Sequence, residues 1–300
     1  LYGSFHSYLS QPGRNFLMPL SAIGLLLAAA VLHTTWNLLL KQAGEKYMAT
    51  WWGAAIGSIV FLPVMFYIGV PVRTVWPILF VSSLFEIGYY IVLAEAYKDS
   101  DFSLVYPMGR GAAPALIAVW AAIFLGERFT FGGVTGIVVI IAGLLIVGGS
   151  SLFQTHARPH LRGILLALLL ALLISIYSTL DGIAVKQTAA LPYVILLFLC
   201  VPIFTAPLIF RQYGWSKLKD DLWTHPWQLA AIGILTIGAY SLALWAYSIA
   251  PLGYAGAVRE VSVVMAAFAG WQFLGEKLGG LRVIGAVIIF IGILVIAIFG

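Results

Sequence analysis

Charge is what this sequence has least of. Only 9% of its 300 residues are Asp, Glu, Lys or Arg, while 62% are hydrophobic. Soluble domains carry about a quarter charged residues, so this chain cannot clothe a surface that faces water. Cysteine is nearly absent: Cys200 stands alone inside an apolar run, which excludes an intrachain disulfide and suggests an inert buried thiol. The histidines show no metal-ligand spacing, and His156 and His160 flank a loop with no further ligands nearby, so no metal or other cofactor is expected. No His-Glu-x-x-His helix, Gly-x-Ser-x-Gly elbow or nucleotide-binding loop occurs. An intramembrane enzyme and a nucleotide-driven pump are both disfavoured. The net charge of +5 comes from basic residues scattered over short loops, without the stripe that nucleic acid would need. Residues 1–15 lack the apolar core of a signal peptide and are set aside as an N-terminal tail.

What is abundant is apolar length. The hydrophobic residues come in runs of about twenty, enough for a helix to cross a hydrocarbon core of roughly 30 Å. They do not alternate as the strands of a β-barrel would. An all-α integral membrane protein follows, its natural partner a lipid bilayer. Ten transmembrane helices are drawn, at about 16–42, 47–70, 74–97, 102–125, 131–150, 162–186, 192–211, 226–250, 253–274 and 279–299. The longest connections are 151–161 and 212–225.

One pattern occurs twice. Ala257-Val258-Arg259-Glu260 leads to Phe273-Leu274-Gly275-Glu276-Lys277, as Met108-Gly109-Arg110-Gly111 leads to Phe124-Leu125-Gly126-Glu127-Arg128. Upstream, Ile87-Gly88 through Ala96-Tyr97 matches Ile237-Gly238 through Ala246-Tyr247. The chain thus divides into a first five-helix repeat at 16–150, a linker at 151–161 and a second repeat at 162–300. An odd number of spans per repeat reverses the second copy, so the repeats are expected to be inverted, an architecture with sites near the bilayer midplane. Gly132, Gly133, Gly136 and Gly143 in span five, with Gly279, Gly280, Gly285 and Gly292 in span ten, predict faces for close helix contact.

Polar residues inside spans are the functional candidates, because a charge at the bilayer centre is disfavoured by about 2.5–3.5 kcal/mol on insertion scales. They are His33, Trp36 and Asn37 in span one, Glu86 in span three, Arg110 in span four, Asp181 in span six, and Arg259 with Glu260 in span nine. Glu95 lies nearer an interface. Helical spacing adds Tyr90 to the face of Glu86, and Tyr106 to that of Arg110. The repeat mate of Glu86 is Thr236, on the same face as Tyr240. The arginine is duplicated while the acid has moved, which suits a cavity adapted to an asymmetric solute. Glu86 reads as a proton-coupling acid or an amine-binding carboxylate, or else as an ion-pair partner of Arg110. The arginines recognise a carboxylate or phosphate, or tie broken helix ends. Glu127 and Glu276, in the turns, are expected to be solvated.

These spans, the two arginine-to-turn motifs and a first helix ending Trp36-Asn37-Leu38-Leu39-Leu40-Lys41 resemble the EamA family of the drug/metabolite transporter superfamily, over about 16–299. The resemblance implies a central cavity lined by spans one, three, four, six, eight and nine, with five and ten as a scaffold. It also implies alternating access, often export, in a bacterial-type cytoplasmic (inner) membrane. Both termini would then be cytoplasmic, whereas loop lysines and arginines place the N-terminus outside. The expected function is secondary transport of a small polar or amphipathic organic metabolite by a monomer. The excess of intramembrane acids favours amino acids or amines. An uncoupled facilitator or channel-like pathway is the alternative.

Overall fold

The computed structural model describes residues 18–99, 102–152, 161–274 and 280–299. The tail at 1–15, most of the 151–161 linker and the turn holding Glu276 lie outside the described residues. Every described element is helical: α1 Leu20–Gln42, α2 Lys46–Ile68, a 3-10 turn Arg73–Val75, α3 Trp76–Asp99, α4 Phe102–Phe124, α5 Phe131–Leu152, α6 Leu161–Val185, α7 Ala190–Thr224, α8 Pro226–Ile249, α9 Leu252–Arg259, α10 Val261–Leu274 and α11 Gly280–Phe299. Helices are what apolar runs of this length must form in lipid, since each backbone N–H and C=O then finds its partner within the segment.

Six helices are long and apolar enough to cross a membrane, among the described residues. They cover Leu20–Leu40, Lys46–Ile68, Arg73–Val92, Leu165–Val185, Ala190–Thr224 and Pro226–Ile249. Shorter apolar helices run over Ala112–Phe124, Phe131–Ile146 and Val283–Phe299. The outer surface is apolar to match: Phe131 is 90% and Trp227 86% exposed, positions that water would penalise and acyl chains welcome.

Two segments depart from the expected spans. The ninth is broken: α9 stops at Arg259, Glu260 has φ −71 and ψ −2, and α10 resumes at Val261. No proline or glycine stands at the break; the two charged side chains do. The stretch 212–225, expected as a connection, is helical almost throughout. It continues α7 past a kink at Gly214, whose φ of +74 is open to glycine and strained for other residues. Beyond the kink Leu218 is buried with Met48 and Ile209, and its carbonyl accepts a hydrogen bond from Trp52 Nε1 at 3.0 Å.

Packing runs across the halves. α11 lies along α5, α1 along α8, and α6 along both α4 and α3. In the α5–α11 contact a Cβ on Gly136 would stand 2.5 Å from Ile296 Cγ1 and 2.9 Å from the Gly292 oxygen, and one on Gly143 2.9 Å from the Gly285 oxygen. The expected close contact thus holds at Gly136, Gly143 and Gly292, whereas Gly133 meets Tyr254 of α9 and Gly280 has nothing within 4 Å. A second close approach has no counterpart in the expectations. At the α2–α8 crossing a Cβ on Gly233 would lie 2.1 Å from the Gly53 oxygen and 2.8 Å from the Gly57 nitrogen. Both obstacles are backbone, so the helices themselves must part. Gly233→Ala is expected to cost about 1–3 kcal/mol or more, read as a lower melting temperature and loss of monodisperse protein in detergent. Gly24→Ala, with nothing within 4 Å of its Cβ, should leave both unchanged or slightly improved; equal behaviour of the two variants would refute this packing.

Candidate functional site

Three hydroxyl groups converge on Asp181, which is fully buried on α6. Tyr193 Oη of α7 donates to Oδ1 at 2.7 Å, Ser82 Oγ of α3 donates to the same oxygen, and Tyr240 Oη of α8 donates to Oδ2. An ionised carboxylate is an acceptor only, with about four lone-pair positions. Three are taken here, by donors from three other helices. Desolvation of a charge is tolerated when such hydrogen bonds replace water, and the arrangement ties four helices at one point.

Glu86 and Tyr90, one turn apart on α3, belong to the same cluster. Glu86 is 5% exposed, and Asp181 lies close enough to repel its carboxyl group. Its Oε2 is buried with no hydrogen-bond partner among the described residues. Tyr90 stacks edgewise on Tyr89 at 5.2 Å, and Tyr89 on Tyr177 at 6.0 Å, so aromatic rings wall this side.

Arg259 closes the other side. Its Nη1 donates to Ser178 Oγ at 3.3 Å, its Nη2 pairs with Glu260 Oε1 at 3.4 Å, and its guanidinium carbon lies 5.7 Å from the centroid of the Tyr247 ring. Its Nε is buried and lacks a partner among the described residues. The helix break puts this arginine at the C-terminal end of a short helix; interrupted backbone inside a membrane bundle is tolerated where it lines a cavity. Arg259 meets α6 through Ser178, one turn before Asp181.

Trp36 borders the cluster from α1. It lines a small recess with Tyr90, Thr236, Phe198, Ile232, Thr50 and Ala54. His33 and Asn37 are tied to it locally: Trp36 Nε1 donates to His33 Nδ1 at 3.3 Å, and Asn37 Nδ2 to the His33 carbonyl at 2.7 Å. Tyr106 and Arg110 fall within α4, but their side chains lie outside the described residues, as does that of Glu95. Sequence reasoning missed Ser82, Ser178, Tyr177 and Tyr193, while Tyr247 falls on the Thr236 and Tyr240 face. Small hydroxyls and single tyrosines are common in membrane helices, so only helical spacing from Glu86 could single out Ser82, and from Asp181 Tyr177 and Ser178; Tyr193, on α7, carries no such signal.

The turn acid Glu127 corrects the expectation of a solvated role. It is partly buried, and its oxygens accept the backbone N–H groups of Leu252 at 2.6 Å and Gly253 at 3.1 Å.

The profile of the EamA-like transporter family matches the chain twice, over residues 20–149 and 161–298. Among curated proteins, the pseudopaline exporter CntI of Pseudomonas aeruginosa is 23% identical over 89% of this chain and 93% of its own length. A WAT1-related protein of Arabidopsis thaliana is 26% identical over 85% of this chain and 81% of its own. One solved crystal structure superposes with a TM-score of 0.76 at 20% identity, covering 93% of this chain and 99% of the other, which shows a shared fold.

Proposed function

The chain belongs to the EamA-like transporter family of the drug/metabolite transporter superfamily, and from that membership we propose that it exports small polar or amphipathic metabolites bearing an amine, amino acids among them. It is a multi-pass membrane transporter and not an enzyme. The finer reading is secondary transport by alternating access around the Asp181 cluster, with a bacterial-type inner membrane as its setting.

One observation carries the substrate class. Two buried polar atoms of opposite character in one cluster, the acceptor Glu86 Oε2 and the donor Arg259 Nε, lack partners among the described residues. Leaving such a group unsatisfied costs about 1–3 kcal/mol, so each is poised for a ligand. A solute offering an ammonium group to Glu86 and a carboxylate to Arg259 would satisfy both. Among the described residues, this cluster holds three buried acids, Glu86, Asp181 and Glu260, and one arginine, Arg259, which favours zwitterions and cations over dianions. The name of the Pseudomonas relative, an exporter, supports the direction. Two matches to one family profile, and contacts in which α1 meets α8 as α6 meets α3, support two inverted five-helix repeats.

Purified protein in liposomes, offered a panel of amino acids, amines, sugars and dicarboxylates with and without a pH gradient, tests the reading. Amine-bearing solutes should move at least about tenfold faster than dicarboxylates, and the gradient should accelerate them. Dicarboxylate preference would sink the substrate class; gradient-independent flux would leave an uncoupled facilitator.

A further inference from the structure

The first copy of the repeated Phe-Leu-Gly-Glu turn lies outside the cluster described above. Gly126 ends α4 at φ +65, and the N–H of Glu127 returns to the Ala121 carbonyl at 3.2 Å. This six-residue return with a left-handed glycine is the Schellman helix stop. It directs the Glu127 side chain at the second half, where the carboxylate takes the first two N–H groups of α9. Helix N-termini leave such donors unsatisfied and carry partial positive charge. Burial pushes the Glu127 carboxyl up from its ordinary value, opposed by these two hydrogen bonds and by Lys186. Lys186 in turn donates to the Ala250 carbonyl at 3.0 Å, just before α9 begins. Phe129 packs against Tyr254 at 5.2 Å, and Tyr254 Oη accepts the N–H of Thr130 at 3.0 Å.

The helix held at this end is eight residues long and finishes at Arg259. At 1.5 Å per residue it is a strut of about 12 Å, and from Leu252 to Val258 every residue is buried. We infer that Glu127 is a positioning residue for Arg259: the turn of the first half, through α9, sets where the guanidinium of the second half stands. Movement of the turn against the second half then moves the arginine. The inference takes Arg259 as part of the transport site, and its exchange test does not depend on that reading.

Hydrogen–deuterium exchange of the full chain in detergent separates a strut from a local cap. In Glu127→Gln, exchange should quicken about tenfold along the whole of 252–259, the scale of losing a helix cap. Glu127→Asp, which keeps the charge, should restore part of the protection and keeps the test decisive if the glutamine variant does not fold. Acceleration confined to 252–253 would overturn the inference. For a solute carried in liposomes, Glu127→Gln should raise KM about tenfold with Vmax changed less than about twofold. It should add nothing on top of Arg259→Lys. Effects that multiply in the double variant would show that Glu127 does not act through Arg259, and would also overturn it.

Discussion

Asp181→Ala is expected to abolish transport and to leave a protein that unfolds well below the parent. The reason is the number of groups that depend on one carboxylate. Ser82, Tyr193 and Tyr240 bring hydroxyl donors from three helices, and alanine accepts none of them. Each buried donor left unsatisfied costs about 1–3 kcal/mol, so the sum is a large share of the roughly 5–15 kcal/mol that holds a typical fold. Asp181→Asn is the discriminating variant. Its amide oxygen still accepts two hydroxyls, and its NH2 group can face the third only if that hydroxyl turns to accept. Stability should therefore fall part of the way while transport falls at least about tenfold, because the negative charge beside Glu86 and Arg259 is gone. Thermal unfolding in detergent and flux in liposomes read the two effects separately. If Asp181→Ala melts with the parent, the hydroxyl convergence does not hold the helices together.

How much of this was open to reading from the sequence depends on which force placed each residue. Asp181, Glu86, Arg259 and Glu260 stand out because a charge inside an apolar run has no cheap alternative to a protein partner. The sequence therefore marks α3, α6 and α9 as helices that carry charge into the bundle. The break at Glu260 enters only through the alternative that the arginines tie broken helix ends, because nothing in Ala257-Val258-Arg259-Glu260-Val261 resembles a helix stop; it is held by tertiary contacts, among them Ser178 and Tyr247 on the arginine. Glu127 was misread for a related reason. Its partners are backbone N–H groups more than a hundred positions away, and backbone donors carry no sequence signature. The segment after Gly214 was legible in principle: Trp215, Leu218 and Leu222 fall at helical spacing, but the charges among them suggested a loop. The same weakness hid the α2–α8 crossing, where Gly53, Gly57 and Gly233 are spread over distant spans and matter only in combination.

Glu86→Gln should do the opposite of Asp181→Ala: the fold keeps or gains stability while gradient-driven transport is lost. Glu86 Oε2 has no partner among the described residues to lose, and a neutral amide of the same shape removes the repulsion from Asp181. Melting should therefore stay at or above that of the parent. Transport is another matter, because a carboxyl group can exchange a proton for an ammonium group and an amide cannot. Acceleration by a pH gradient should fall at least about tenfold, corresponding to about 1.4 kcal/mol in the coupled step. Solute exchange without a gradient should weaken less, since Asp181 still supplies negative charge to an amine. Gradient-driven flux that survives the substitution would remove Glu86 from the coupling step and leave it a binding group. Loss of folding instead of flux would mean that Glu86 holds the bundle as Asp181 does. The contrast between the two variants therefore separates a carboxylate whose hydrogen bonds are nearly filled, and which holds helices, from one left open for the transported ligand.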